Sequence, residues 1–225
     1  MRLSVIIPTL NEEANIAATV ENLRTQQPHE IIVVDGGSSD RTREFASAGA
    51  DLVLQSAAGR ATQMNLGAAH ANGEAFLFLH ADCTLQGGAI AEAARRLEQP
   101  GVAAGCFRMR VPLPNRLYRS IEACATARVR MFGIIYGDQG LFTRRETFEK
   151  AGGFPNLRLM EDVFLSLRLR KTGRVVVANK EIVVSPRRWQ KVGIVRQTLR
   201  NWALTAAAAA GVHPDRLAKY YSAIR

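Results

Sequence analysis

The 225-residue sequence contains only three cysteines, Cys83, Cys106 and Cys124. They are odd in number, scattered and without a C-x-x-C pair. That excludes a disulfide framework or a zinc site as the basis of the fold and fits a reducing cytoplasm. Long apolar runs are absent too: eighteen uncharged apolar residues never follow one another, so no membrane-spanning helix is expected. Met1-Arg2-Leu3-Ser4 passes straight into a strand-like segment with no small-residue cleavage site behind it, so neither a secretory leader nor export is expected. Glycine is missing from residues 8–13, just after the first apolar run. This removes the G-x-G-x-x-G fingerprint and with it a nicotinamide dehydrogenase. The Gly- and Arg/Lys-rich loop that a sugar-1-phosphate nucleotidyltransferase needs there to hold triphosphate is also missing. Acids are the minority charge, 20 Asp plus Glu against 30 Lys plus Arg, for a net +10. Such a balance favours phosphorylated substrates, anionic lipid surfaces or nucleic acid. Most of the arginine falls in 101–225, which puts the anion-facing surface in the second half. No zinc pattern or aromatic RNA-binding signature occurs, which argues against nucleic acid.

Two periods alternate through the first hundred residues. Short runs rich in Val, Ile, Leu and Phe at 3–7, 31–34, 52–54 and 75–79 read as buried parallel strands. Helix-like stretches lie between and after them, at about 11–26, 40–49, 60–72 and 87–98. Alternation of this kind predicts right-handed crossovers and a doubly wound α/β sheet. In the second half, 102–111 reads as extended and 112–114 as a turn. A helix is predicted over 115–133, with Leu117, Ile121, Cys124, Met131 and Phe132 on one arc. A Gly-rich loop at 137–140 and a short strand follow. The helix predicted over 161–172 stops at Gly173, a strand follows over 174–184, and two helices over 192–223 break near Gly211 and Pro214. The expected division is a domain over 1–190, with a nucleotide-binding half at 1–100 and an acceptor half at 101–190, and then a helical tail over 191–225.

Ligands of open parallel sheets bind outside the carboxyl ends of the strands. The first strand ends in Pro8-Thr9-Leu10-Asn11-Glu12, the second in Asp35-Gly36-Gly37-Ser38-Ser39-Asp40, and the fourth in His80-Ala81-Asp82. Plain alternatives exist for each: Asp35 can start a turn, Glu12 can complement a helix dipole, Asp82 can cap a helix and His80 can be a satisfied core residue. Three consecutive units that deliver polar groups to one edge favour a binding site.

These segments, together with Gly59-Arg60…Asn65-x-Gly67-Ala68 and Glu161-Asp162, resemble in order and approximate spacing the family 2 glycosyltransferases of the inverting GT-A type, over about residues 1–190. Within that family the sequence is most similar to compact bacterial members without membrane segments, some of them assigned to arsenosugar biosynthesis. The resemblance implies transfer of a sugar from a UDP- or GDP-sugar donor to an acceptor hydroxyl. It implies that Asp35 contacts the base, that Pro8, Thr9, Asn11, Glu12 and Asp40 cradle the nucleoside, and that Arg60 contacts base or diphosphate. Asp82 matches the last acid of the family's Asp-x-Asp motif and implies a Mn²⁺ or Mg²⁺ ion neutralising the leaving diphosphate. His80 stands where that motif has its first acid; the imidazole can bond a ribose hydroxyl or join the metal. Asp162 is implied as catalytic base with Glu161 in support, although two acids at a helix start also suit its dipole. Gly137, Asp138 and Gln139 fall where family members line the acceptor pocket. Ser185-Pro186-Arg187-Arg188-Trp189 resembles the Gln-x-x-Arg-Trp segment of processive members, with Ser185 in place of Gln. It implies phosphate contact by Arg187 or Arg188 and sugar stacking by Trp189. The remaining alternatives are a nucleotidyltransferase-like protein and a non-catalytic nucleotide-binding protein.

In the tail, Val195, Leu199, Trp202 and Ala206 share a helical stripe beside Arg196 and Arg200. The leading expectation is a helix docked on its own domain through that stripe. Dimerisation and peripheral contact with the inner face of the membrane are the alternatives.

Overall fold

A computed structural model describes residues 1–221 of the chain. Five β-strands and four α-helices alternate through the first hundred residues: β1 (Leu3–Thr9), α1 (Ile16–Arg24), β2 (Glu30–Asp35), α2 (Thr42–Ser47), β3 (Leu52–Gln55), α3 (Arg60–His70), β4 (Ala75–Phe78), β5 (Cys83–Leu85) and α4 (Ala89–Leu97). Next come β6 (Val102–Arg110), α5 (Arg116–Phe132), a 3₁₀ turn (Gly137–Gln139), β7 (Leu141–Arg144), α6 (Arg145–Lys150), α7 (Glu161–Thr172) and β8 (Arg174–Val184). The tail holds α8 (Arg187–Val192), α9 (Ile194–Ala209), α10 (Pro214–Leu217) and a last 3₁₀ turn (Ala218–Tyr220). The reading of a tail helix up to 223 extends past the described residues.

All eight strands form one sheet in the order β3-β2-β1-β4-β7-β6-β8-β5. β1 pairs in parallel with β2 and β4, β2 with β3, and β6 with β8. β7 is antiparallel to β4 and β6, and β5 to β8. The architecture is thus the expected mixed α/β, mostly parallel sheet flanked by helices. Alternation of side chains along each strand divides the core in two. Val5, Ile7, Ile31, Val33 and Leu77 face the layer of α1, α2, α4 and α5. Ile6, Ile32, Val34, Phe76 and Phe78 face the layer of α3, α6 and α7. Burial on both faces is why these strands read as unbroken apolar runs. α3 lies close on the sheet because of Gly67: a Cβ there would come within 2.5 Å of Ile6.

Two amphipathic readings need correction. α5 buries Tyr118, Ala125 and Val129, while Leu117, Cys124, Met131 and Phe132 of the expected arc are exposed. β6 and β8 contact the helix on a side rotated from the apolar arc, and the sheet's position decides which side is covered. Likewise α9 docks through Gln197 and Leu204, and Val195, Leu199, Trp202 and Ala206 face outward. A third small cluster, with Leu159, Met160 and Val163 from the start of α7 against Leu204 and Leu217, seats the tail on the domain.

Candidate active site

The carboxyl ends of β1, β2 and β4 open on one edge because these strands are parallel neighbours. Beyond β1, with Pro8 and Thr9 buried at its end, the chain turns at Asn11. Its φ of 54° is a left-handed conformation that Asn tolerates better than most residues. Asn11 locks this loop to the next one: its Oδ1 accepts the N–H of Ser39 at 2.9 Å, and its N–H donates to the Ser38 hydroxyl at 2.8 Å. Asp35, fully buried at the end of β2, accepts the N–H groups of Gly37 (3.0 Å) and Ser38 (2.9 Å) and the hydroxyls of Ser38 and Thr9. Both carboxylate oxygens therefore order the turn, and any contact with a base must share them. Asp40 ties the neighbouring loop through the N–H of Thr42 (3.0 Å) and of Glu13 (3.2 Å). Burial pushes the Asp40 carboxyl up, but the hydrogen bonds from Thr42 and Glu13 outweigh it and hold the group below its usual range.

His80 and Asp82 follow β4. Burial, with Arg60, Arg188 and Arg187 nearby, pushes the His80 pKa down to about 4 against the pull of Asp162. The ring is therefore neutral at pH 7. The Arg187 guanidinium, brought back by α8, bridges Asp82 at 3.1 Å and Glu12 at 2.6 Å. Sequence reading gave Arg187 no such partners, since Glu12 lies 175 residues away.

At the start of α7, Glu161 is 2% exposed and receives Arg60 Nε at 2.7 Å. Its other oxygen has no hydrogen-bond partner among the described residues. Burial pushes the Glu161 carboxyl up more than Arg60 pulls it down, and Asp162 adds to the rise. Arg60 is thus drawn to the start of α7. Asp162 accepts the N–H of Val163 at 2.7 Å on one oxygen and that of Gly137 at 2.5 Å on the other. The 137–139 turn approaches so closely that a Cβ on Gly137 would lie 2.7 Å from His80 Nε2 and 3.2 Å from Asp162 Oδ2. A glycine is required for that contact, and His80, Gly137 and Asp162 form one cluster. Beside them, burial pushes Asp138 up to about 6, with Asp162 and Asp82 adding to the rise and Arg128 opposing it. Its Oδ1 is buried without a hydrogen-bond partner among the described residues. Gln139 is buried and accepts from Arg128, whose guanidinium lies 3.4 Å from the centre of the Tyr136 ring.

Arg188 stacks over Tyr221 at 4.5 Å, and burial lowers its pKa. Trp189 requires a correction. It is 8% exposed and packs edge-on against Tyr118 at 5.9 Å in the main core, so its ring is not open to a sugar. Successive helical residues are turned by about 100°, so Arg187 reaches Glu12 and Asp82 while Trp189 points into the core. Arg128, Tyr136 and Tyr221 were not legible as site neighbours. Arg128 and Tyr136 sit on no motif, and Tyr221 arrives from the far end of the chain.

The family description "Glycosyl transferase family 2" matches residues 4–155, well over half of the chain. This chain belongs to glycosyl transferase family 2. Among curated relatives, "Probable glycosyltransferase YdaM" of Bacillus subtilis is 29% identical over 198 residues, 76% of this chain and 47% of its own length. The chain spans less than half the length of the curated relatives it matches. Among solved structures, the mannosyltransferase PcManGT from Pyrobaculum calidifontis, in complex with GDP-Man and Mn²⁺, superposes with a TM-score of 0.69 at 22% identity. The match covers 98% of this chain and 79% of that one. TarS 1–349 of S. aureus in complex with UDP-GlcNAc gives 0.66 at 20% identity, over 82% of this chain and 58% of that one. At these identities the likeness establishes the shared GT-A fold.

The family's divalent cation can be tested against the residues present. Among the described residues no cluster of three or more His, Cys, Asp or Glu side chains is built to hold an ion by protein ligands alone. Asp82 and the neutral His80 remain, a carboxylate and an imidazole of the types that suit Mn²⁺ beside diphosphate and water oxygens. The donor set fits a cation shared with a nucleotide, with Arg187 now on the carboxylate. No helix among the described residues is long and apolar enough to cross a membrane.

Proposed function

We propose that the chain is an inverting glycosyltransferase that moves a sugar from a UDP- or GDP-sugar to an acceptor hydroxyl. The observation that carries this reading is the Asp162 carboxylate, oriented by two backbone N–H groups against His80 and Gly137 at the edge where the strand ends converge. Residues 1–100 would serve as the donor half and 101–190 as the acceptor half, followed by a tail whose described residues, 191–221, pack on the domain. The loops ordered by Asn11, Asp35 and Asp40 would cradle the nucleoside. His80, donating from a neutral ring, would bond a ribose hydroxyl or share the cation with Asp82. Arg60, Arg187 and Arg188 supply positive charge where the diphosphate departs. A bound Mn²⁺ or Mg²⁺ would supply further neutralisation of that leaving group.

In the transfer step, Asp162 takes the proton of the acceptor hydroxyl as its oxygen bonds to the anomeric carbon. The bond from that carbon to the diphosphate oxygen breaks, and the nucleoside diphosphate leaves with the electron pair. Gly137, Asp138, Gln139 and Arg188 would border the acceptor. Asp138 is the second candidate for the base, favoured by its unpartnered buried oxygen and raised pKa.

Thermal stabilisation by UDP, GDP, NAD and duplex DNA, each with and without Mn²⁺, tests the donor class. Stabilisation by UDP or GDP that grows with Mn²⁺ and loses that growth in Asp82→Ala is expected. Stabilisation by NAD or DNA alone overturns the reading.

A further inference from the structure

We propose that the outward face of α9 docks on an anionic lipid bilayer surface. A surface helix normally turns its apolar side to the core. α9 does so only in part: Leu204 is buried, but most of its large apolar side chains face outward. Its inner side carries Gln197, fully buried, and Asn201, joined by a 2.7 Å hydrogen bond, and Thr205, bonded to the Tyr136 hydroxyl at 2.7 Å. Its outer side carries Val195, Leu199 and Trp202, which are 57%, 55% and 50% exposed. With Ala206 they fall at i, i+4, i+7 and i+11, a stripe about 16 Å long at the helical rise per residue. α5 packs against α9 and exposes further large apolar groups, Leu117, Met131 and Phe132.

Charge decides the occupant. Exposed Arg196 lies beside the stripe, Arg116 and Arg130 are exposed on α5, and residues 187–214 contain no Asp or Glu at all. Apolar residues bordered by cations, with an indole among them, suit the headgroup boundary of an anionic membrane. A second copy would bring a like-charged face against this one, since each chain carries +10. Phosphates of a nucleic acid would offer nothing to Val195 or Leu199. The docking does not depend on the transfer reading and stands or falls separately.

The test is co-sedimentation of the full chain with vesicles of phosphatidylglycerol and phosphatidylcholine, or of phosphatidylcholine alone. Salt is set at about 10 mM and about 1 M, where screening lengths are about 30 and 3 Å. Retention by the anionic vesicles at low salt is expected, falling at high salt and without phosphatidylglycerol. The chain has two tryptophans, and Trp189 is buried, so quenching by brominated acyl chains reports Trp202. Leu199→Ser with Trp202→Ser should weaken vesicle binding about tenfold or more, with melting temperature and nucleotide binding unmoved. Arg196→Ser should flatten the salt dependence. No retention by anionic vesicles at low salt overturns the proposal, as does equal binding to both vesicle types. A dimer in light scattering that the same serine substitutions dissolve assigns the stripe to a second copy instead.

Discussion

Arg60→Ala should destabilise the protein through the residue it leaves behind. Glu161 is 2% exposed, Arg60 is its ion-pair partner at 2.7 Å, and the second Glu161 oxygen has no hydrogen-bond partner among the described residues. Removing one side of a buried pair typically costs about 3–5 kcal/mol because the other charge is left uncompensated. Glu161 has an escape, which is to take a proton. From an ordinary value of 4.5, protonation at pH 7 costs about 1.4 kcal/mol for each of two and a half pH units, or about 3.4 kcal/mol, and that bounds the loss. The sign follows from the direction of the shift. In the variant the folded pKa of Glu161 rises further above its unfolded value, so folding takes up a proton. Stability is then full below about pH 4.5 and is lost as pH rises toward the folded pKa. Urea unfolding of wild type and Arg60→Ala at pH 5, 6, 7 and 8 should show a gap near neutrality that stays below about 3 kcal/mol, because Glu161 is already raised in the wild type. The gap should shrink toward pH 5, where Glu161 is protonated in both proteins. Arg60→Ala combined with Glu161→Gln should lose this pH dependence. A gap of equal size at pH 5 and pH 8 would refute the stranded-carboxylate reasoning.

Other perturbations follow from single contacts. In Gly137→Ala the new methyl meets His80 Nε2 at 2.7 Å, so transfer should fall while thermal unfolding shows a loss of only about 1–3 kcal/mol. Trp189→Ala should cost about 3–5 kcal/mol in denaturant unfolding, as a core aromatic does, whereas Leu199→Ala on the exposed stripe should stay within about 0.5 kcal/mol. Asp138 is raised from 3.8 to about 6, so its contribution to stability is present below about pH 4 and is lost, to the extent of about 3 kcal/mol, as pH rises to about 6. Asp138→Asn should remove that slope, and an unchanged stability profile between pH 4 and 7 would count against its burial as an acid.

The donor edge was legible because strand ends are written in local sequence. Apolar runs of three to five residues, each followed by a polar cluster, mark both the strand and the place where it stops, as Asp35 and Asp82 illustrate. α7 and β8 fell on their expected bounds for the same reason, with Gly173 as punctuation. Three short elements escaped: β5 has three residues and α6 and α8 have six each, and unlike the equally short α2 they do not lie in the regular strand–helix alternation that marks it. The outward faces of α5 and α9 escaped for a different reason. A helical period identifies an apolar arc, but only the position of the sheet decides whether Leu117 or Tyr118, Leu199 or Leu204, is covered. Trp189 was misread because a motif gives a residue's neighbours in the chain and not its direction. The bridge from Arg187 to Glu12 and Asp82 joins opposite ends of the sequence, and no local pattern reports it.

The most direct measurement is transfer and donor binding on Asp162→Asn. The substitution keeps size and one acceptor oxygen but cannot take a proton at neutral pH, and removal of a general base typically costs on the order of 10²–10⁴ in rate. Donor nucleotide should bind with near wild-type affinity, since Asp162 is held by Gly137 and Val163 rather than by the donor loops. Transfer to acceptor should fall by about that factor, with Glu161→Gln affected less. Full turnover by Asp162→Asn, with the fold intact, would contradict its role as base and move the search to Asp138.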